Sequence, residues 1–181
     1  KKAKQRAKLA DYGPLQNFVN SSLSEPWEQP GKRRKEEDLI KHKCDLPPGQ
    51  VPFGTLALVA GVDTQDNGFY YQILAIGANF EVWTIRYGFV LTTDALEQVL
   101  WESDYTDGDG RVYPVRFSLI DAMGHRTKEV QDWTRPHSPH KIAPCQGKQN
   151  LASTFRTHAV DRHANNNPVV GGLQQISVNT T

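Results

Sequence analysis

The sequence has few cysteines, no long apolar run and almost no net charge, and each of these absences bears on the class of protein. The 181 residues include two cysteines, Cys44 and Cys145, which lie outside any Cys-x-x-Cys spacing. This disfavours a disulfide framework or a cysteine zinc site and is typical of a reducing compartment. No apolar stretch approaches the roughly 18 residues that a membrane span requires. A formal net charge of +1 gives no global bias towards nucleic acid.

The first 50 residues differ in character from the rest. They are polar and weakly periodic, contain scattered prolines, and end at the breaker Pro-Pro-Gly. Two basic blocks, at residues 1–8 and 32–35, are typical of a solvated tail or linker. The opening KKAKQRAKLADYGP is expected of an internal segment of a longer polypeptide. We therefore predict a connecting arm over residues 1–50 and one domain over residues 51–181.

Strand patterns begin at Leu56. TLALVAGVDT is a short apolar run that predicts a strand buried on both faces, and FYYQILAIGAN and EVWTIRYGFV predict the next two strands of an antiparallel meander. VRFSLIDAM, HKIAPCQGK and LQQISVN predict three later strands. The polar residues 149–168 predict a flexible loop.

Helices are predicted in the arm and between the strands. The arm is expected to contain one or two short helices, one of them near residues 36–43. DALEQVLWESD predicts a helix after a cap at Thr93 and Asp94, and TKEVQDWTRP predicts another that is capped near Thr127. The resulting α/β order favours a mixed sheet of five or more strands in the order 3-2-1-4-5, with flanking helices. Such a sheet leaves a crevice at the carboxyl ends of strands 1 and 4.

Two of the predicted strands end in a carboxylate at that crevice. Asp63 ends the first strand and Asp121 ends the fourth. Because neighbouring strands lie about 4.8 Å apart, two ionised carboxylates there repel each other unless a cation lies between them. Mg²⁺ and Mn²⁺ prefer oxygen ligands, and a pair of such ions can activate water in phosphodiester hydrolysis. The alternative is that each aspartate only begins a turn, as the sequence VDTQDNG permits.

The residues around these aspartates resemble a known family. LALVAGVDTQDNGFYYQILAIG, followed by LIDAMGHRTKEVQDW, resembles the nuclease domain of the large terminase subunit of lambda-like tailed bacteriophages. LQNFVNSSLSEPWE and HKIAPCQGK fit the same resemblance, which covers about Leu15 to Val178. It implies an RNase H-like fold and an endonuclease that cuts concatemeric double-stranded phage DNA with two Mg²⁺ or Mn²⁺ ions. Asp63 and Asp121 would then be the metal-binding catalytic acids.

The resemblance also implies partners and a location. The expected partners are double-stranded DNA, the small terminase subunit and the portal of the procapsid, without a membrane, in the cytoplasm of the infected or lysogenic bacterial host. Two departures limit it. No GxxxxGK[ST] loop is present, so the ATPase motor is absent from these residues. The family also has a further acid after the final strand, which we expect beyond Thr181, and we expect Mn²⁺ to support activity better than Mg²⁺ without it.

Several other residues are candidates for accessory roles. Asp66 is either a further metal ligand or a turn former, and His125 and Arg126 either contact DNA phosphate or lie in a simple loop. Lys148 and Arg156 are candidates for non-specific phosphate contacts. His158, Asp161 and His163 have loosely metal-like spacing, but the segment around them predicts a mobile loop.

Two rival functions remain open from the sequence. One is a catalytically silent RNase H-like module that binds DNA or a partner protein. The other is an RNA-directed nuclease or resolvase of the same fold.

Overall fold

The chain divides into two units, Lys1–Asp45 and Leu46–Thr181, close to the predicted boundary after residue 50. A computed structural model describes residues 13–23, 40–137 and 139–181. Among the described residues of the first unit, Gly13–Ser22 form the helix α1. The two basic blocks and the first half of the helix predicted near residues 36–43 lie outside the described residues.

The second unit is built on a seven-stranded mixed sheet with the order β3-β2-β1-β4-β5-β7-β6. The predicted order 3-2-1-4-5 is confirmed, and two more strands extend the sheet beyond β5. The strands are β1 Ala57–Gln65, β2 Gly68–Ile76, β3 Val82–Val90, β4 Val115–Asp121, β5 Ile142–Lys148, β6 Phe155–Ala159 and β7 Gln174–Asn179.

Strand directions explain why one edge of the sheet is suited to a site. The first three strands form the predicted antiparallel meander. β1, β4, β5 and β7 are mutually parallel, whereas β6 returns antiparallel to β7. The carboxyl ends of β1 and β4 therefore meet at the same edge, where open α/β sheets place ligands. This arrangement agrees with the RNase H-like fold that the resemblance implies.

Two helices flank the sheet. α2, at Thr93–Glu97, continues directly into a π-helical turn at Gln98–Glu102, and α3 spans Thr127–Thr134. Their buried side chains join alternate residues of the central strands in one hydrophobic core. Members from these elements include Leu58, Val62, Ile73, Leu96, Leu100, Ile120, Val130 and Ile142.

The expectation that β1 is buried on both faces is wrong. Leu58, Ala60 and Val62 are buried, whereas Val59 is only half-buried and Gly61 is exposed. The apolar run does not show this alternation, because Val59 and Gly61 are themselves apolar or small although they belong to the face opposite to α2 and α3. The open face contains Asp63, which lies two residues before the end of β1 rather than at its end as predicted, because the pairing with β2 continues to Gln65.

Both helix caps differ from the sequence-based expectation. The N-cap of α2 is Thr92, whose hydroxyl accepts a hydrogen bond from the backbone N–H of Ala95 at 3.2 Å. Thr127 is the first residue of α3 rather than its cap. Its hydroxyl lies 2.8 Å from the carbonyl oxygen of Ala122 and 2.6 Å from that of Gly124, so it stabilises the loop before the helix.

The segment that the sequence predicts as a flexible loop contains β6. This strand lies at the edge of the sheet, and its first three residues are exposed. A strand at the edge of a sheet is held by backbone hydrogen bonds to one neighbour and need not alternate apolar and polar residues. The polar sequence therefore gives no sign of β6. Within residues 13–23, 40–137 and 139–181, no helix is long and apolar enough to cross a membrane.

Candidate metal centre

Asp63 and Asp121 occupy equivalent positions on neighbouring parallel strands. Val62 pairs with Ile120 in the register of β1 and β4, and both are buried on the helix-bearing face. The next residue on each strand is one of the two aspartates, so both belong to the opposite, open face. Strand spacing places the two backbones about 4.8 Å apart. The meeting of these acids at one sheet edge is thus a consequence of register.

Each carboxylate uses one oxygen within the protein. Asp63 Oδ2 accepts a hydrogen bond from Gln65 Nε2 at 2.7 Å. Asp121 Oδ1 accepts one from the backbone N–H of Met123 at 3.2 Å, which is the turn geometry expected of an aspartate at the end of a strand. Within the described residues, no hydrogen bond engages Asp63 Oδ1 or Asp121 Oδ2. Each aspartate therefore retains one oxygen for a ligand.

Further hydrogen bonds hold the strand ends together. The Thr64 hydroxyl donates to the carbonyl oxygen of Asp121 at 2.6 Å, which ties the end of β1 to that of β4. The backbone N–H of Ala122 donates to the carbonyl oxygen of Cys145 at 2.8 Å, which ties β4 to β5. Burial and, secondarily, the negative charge of Asp121 raise the pKa of the Cys145 thiol to about 11. Cys145 is therefore a neutral thiol beside the acid pair at neutral pH.

The donor set fits a hard divalent cation. Two carboxylates on one face match the one or two that Mg²⁺ takes, with water and substrate phosphate completing its coordination. In the part of the chain that the structure describes, no group of three or more His, Cys, Asp or Glu side chains is placed to hold a metal ion. The centre that the described residues form is thus a pair of aspartates.

Asp66 is not grouped with these two acids. It lies in the turn between β1 and β2, where its carboxylate pairs with His125 Nε2 from the loop before α3. Both side chains are exposed. The pair joins two loops beside the candidate metal centre, so the structure shows Asp66 and His125 together as a link between the loops.

The sequence comparisons decide the family. A model of the family described as "Terminase large subunit gpA, endonuclease domain" matches residues 1–180. The chain belongs to the terminase large-subunit endonuclease family.

Two curated relatives agree with this assignment. The chain is 24% identical over 143 residues to the terminase large subunit of Escherichia phage lambda, a match that covers 76% of the chain and 22% of the relative. It is 23% identical over 145 residues to the terminase large subunit of Enterobacteria phage P21, covering 77% of the chain and 23% of the relative. The matched part is thus under a quarter of either relative's length. No solved structure shows significant similarity to the chain.

Arg126 holds the loops of this terminase nuclease domain together. Its Nη1 donates to the carbonyl oxygen of Gln65 at 2.6 Å and to that of Gly68 at 3.4 Å. Its Nε and Nη2 donate to the Glu129 carboxylate at 2.9 and 2.6 Å, and these bonds lower the pKa of Glu129. The guanidinium also lies 4.6 Å from the centroid of the Phe69 ring. Arg126 therefore positions the turn between β1 and β2.

Replacing Arg126 tests this positioning. We expect Arg126→Ala to lower the free energy of unfolding by about 2 kcal/mol, because it removes charge-assisted hydrogen bonds to the Gln65 carbonyl and to Glu129. Arg126→Lys should recover only part of this, because an ammonium cannot reproduce the planar fork. Urea unfolding followed by circular dichroism measures both variants. Lys128→Ala, which removes an exposed cation from the first turn of α3, is the control. Equal stability of Arg126→Ala and the unchanged chain would refute the assignment.

Lys148 and Arg156 lie at the far end of the sheet from the meander. Ser177 on β7 pairs with Arg156 of β6 on one side and with Gln146 of β5 on the other. Lys148 lies two residues after Gln146 on β5. Alternation along these strands places both cations on the helix-bearing face, opposite to that of Asp63 and Asp121. Because β5 is parallel to β4, Lys148 also lies at the sheet edge where the acids meet.

The expectation of a mobile loop around His158, Asp161 and His163 is wrong. A strand and a hydrogen-bonded loop account for this segment. His158 lies within β6. Asp161 accepts hydrogen bonds from Arg135 Nη2 at 3.1 Å and from the backbone N–H of Leu173 at 2.8 Å. Both interactions lower the pKa of Asp161, with the Arg135 bond the larger cause. This carboxylate fastens the β6–β7 loop to the end of α3.

Residues that the sequence reasoning missed surround the acid pair. Thr64 and Gln65 follow Asp63 directly, and their polar side chains at a strand end are a weak signal for such contacts. Cys145 pairs with Asp121 across β4 and β5, which becomes visible only once the register is known. Tyr70 pairs with Asp63 across β1 and β2 in the same way.

Proposed function

We propose that the chain is a metal-dependent endonuclease domain of a viral DNA-packaging terminase that cuts concatemeric double-stranded phage DNA by two-metal hydrolysis. The observation that carries the proposal is the placement of Asp63 and Asp121 on one face at equivalent positions of adjacent strands. Membership of the terminase endonuclease family supports the reaction class. The single free oxygen of each carboxylate supports metal binding.

In this proposal, Asp63 and Asp121 hold Mg²⁺ or Mn²⁺, and two ions are expected. When bound, such ions supply charge that activates water and stabilises the leaving oxygen. Gln65 orients the Asp63 carboxylate, and the backbone N–H of Met123 orients that of Asp121. Thr64 keeps the two strand ends at a fixed separation. These contacts preorganise the acids, which is the protein's contribution to a metal-assisted reaction.

The partners belong to the same proposal. The relatives are terminase large subunits, and the matched part covers 22% and 23% of their lengths. We therefore assign the domain double-stranded DNA as its direct ligand. The small terminase subunit and the procapsid portal would engage the complete protein, in the cytoplasm of the bacterial host.

Plasmid nicking tests the proposed activity. Supercoiled plasmid incubated with the chain and Mn²⁺ or Mg²⁺ should be converted to open circles, whereas EDTA should prevent this. An RNA–DNA hybrid of the same sequence distinguishes an RNA-directed nuclease, which would prefer the hybrid. Nicking that persists in EDTA would refute a metal-dependent mechanism.

A catalytically silent RNase H-like module is the second candidate. It is favoured by the finding that the described residues bring no third acid to the pair formed by Asp63 and Asp121. Such a module would bind DNA in both metals without nicking it. The two functions are therefore separated by measuring binding and nicking on the same plasmid.

A basic surface is available for DNA phosphate in either case. Arg156 and His158 lie two residues apart on β6 and so share a face. Burial lowers the pKa of His158, and the positive charges of Lys148, Arg156 and Arg162 lower it further. Within the described residues, no ion pair neutralises Lys148 or Arg156. Uncompensated cations on a sheet surface attract a polyanion without reading its sequence.

Salt dependence tests this surface. We expect Lys148→Ala and Arg156→Ala each to weaken binding to duplex DNA equally for unrelated sequences and to reduce the slope of log affinity against log salt by about 0.9. Fluorescence anisotropy over a salt titration in EDTA measures this without cleavage. Arg111→Ala is the control. Arg111 is exposed and precedes β4, so it lies at the amino end of that strand, away from the carboxyl ends beside Lys148. An unchanged slope in both variants, or an equal change in the control, would contradict the assignment.

A further inference from the structure

A row of aromatic side chains continues from the acid pair across the open face. Tyr70 on β2 pairs directly with Asp63, and Phe89 on β3 pairs directly with Tyr70. Tyr87 lies one step further along the same face of β3. Residues that pair directly on neighbouring strands share a face, so Asp121, Asp63, Tyr70 and Phe89 form one line across four strands. The aromatic row and the candidate metal centre are therefore one continuous surface.

The rings are exposed and held in place. Tyr70, Tyr87 and Phe89 expose 55%, 79% and 37% of their surface. The centroids of the Tyr70 and Phe89 rings are 4.7 Å apart, with planes tilted by 52°. The Phe89 ring occupies the space of the side chain that Gly68 lacks, because a Cβ there would lie 2.5 Å from Phe89 Cζ. Gly68 thus permits the ring pair to form before any ligand arrives.

Open space lies beside these rings. A cavity of about 550 Å³ is lined by Asp63, Tyr70 and Tyr87, together with Gly61 and Gln72. A Cβ added at Gly61 would meet no atom within 4 Å, so the floor of the cavity is unobstructed. A planar group has room to lie there, against an aromatic ring and next to the acids.

We propose that Tyr70, Phe89 and Tyr87 form a stacking platform for unpaired bases of a DNA strand whose phosphate lies at Asp63 and Asp121. The proposal rests on the proposed nuclease function, because that function brings a phosphate to the acid pair. Tyr70 lies one strand spacing, about 4.8 Å, from Asp63, so a base of the same or the adjacent nucleotide reaches it. Base–aromatic stacking suits any sequence, because every base has a π-face.

The platform selects unpaired DNA over intact duplex. In a continuous duplex each base already stacks on its neighbours, so an aromatic side chain gains a base only where the strand is single, frayed or opened. The platform would therefore hold a locally melted strand in the nuclease site. Intact duplex would bind through phosphate contacts alone.

Binding to a fluorescein-labelled oligothymidylate of about 15 nucleotides tests the platform, because this length spans a typical single-strand site. The 181-residue chain is titrated in Ca²⁺, which takes oxygen ligands, because in EDTA the two bare carboxylates would repel the phosphate. Gel electrophoresis of the titrated samples checks that the oligonucleotide stays intact. We expect Tyr70→Ala to weaken oligothymidylate binding roughly tenfold while duplex affinity changes less than about twofold. Tyr70→Trp should retain binding, and Phe53→Ala is the control, because Phe53 is 96% exposed and precedes β1.

The outcomes separate this proposal from the nuclease assignment. Loss of oligothymidylate binding in Tyr70→Ala with retention in Tyr70→Trp supports the platform, even if plasmid nicking is absent in the unchanged chain. Equal affinity of the unchanged chain and Tyr70→Ala for oligothymidylate refutes it, even if nicking is normal. Sedimentation that shows a dimer disrupted by Tyr70→Ala, with unchanged oligothymidylate binding, would assign the face to a second copy of the chain and also refute it.

Discussion

Asp63→Asn and Asp121→Asn are each expected to lower plasmid nicking by at least about 100-fold, since loss of a residue that only orients a metal ligand already costs 10- to 100-fold. The amide retains the size of the side chain but lacks the negative charge that a hard cation requires. Nicking rates in Mn²⁺ measure the loss. Asp109→Asn is the matched control, because Asp109 is an exposed acid in the loop before β4, at the opposite edge of the sheet.

The same substitutions should leave the fold intact. In metal-free buffer the two carboxylates repel each other, so removing either charge should leave the thermal midpoint unchanged or raise it. A variant that nicks at a normal rate would remove its residue from the site. A strong loss of stability in both variants without metal would identify the aspartates as turn formers. The hydrogen bond from the backbone N–H of Met123 to Asp121 is the contact that fits such a role.

Ile120→Ala should have the largest effect on stability and lower the free energy of unfolding by about 2 to 5 kcal/mol. Ile120 is fully buried, pairs with Val62 across β1 and β4, and immediately precedes Asp121. Two costs add up in this loss. One is the transfer free energy of the removed methyl and methylene groups, and the other is the free-energy cost of the cavity left between the sheet and the helices. Urea unfolding followed by circular dichroism measures it.

Leu119→Ala is the paired control for this substitution. Leu119 is the preceding residue of β4 and is half-buried on the open face, so its truncation should cost only about 1 kcal/mol. A larger loss from Leu119 than from Ile120 would mean that the open face is packed more tightly than the helix-bearing face. That result would also contradict the exposed stacking platform.

The strand order and the juxtaposition of Asp63 and Asp121 on adjacent strands could be predicted because both depend on local patterns. Alternating apolar and aromatic runs identify each strand, and an acid at the end of VAGVD and of SLID places each carboxylate at a carboxyl edge. Short connections then leave few ways to arrange the sheet. β6 was missed because an exposed edge strand does not show this alternation.

The loop contacts could not be predicted in the same way. Arg126 donates to the carbonyl oxygen of Gln65, 61 residues earlier, and His125 pairs with Asp66, 59 residues earlier. Such contacts depend on how two loops meet after the sheet has formed, and a local pattern does not encode that. The open face of β1 was hidden for a related reason, since a valine and a glycine inside an apolar run do not show which face a helix will cover.

Calorimetric titration of Mn²⁺ into the metal-free chain tests most directly whether Asp63 and Asp121 form one metal centre. We expect the unchanged chain and Asp109→Asn to bind Mn²⁺ with equal affinity. We expect Asp63→Asn and Asp121→Asn each to bind Mn²⁺ at least about tenfold more weakly, because each aspartate supplies an oxygen that the other cannot replace. Wild-type affinity in both variants, or no binding by the unchanged chain, would contradict the claim.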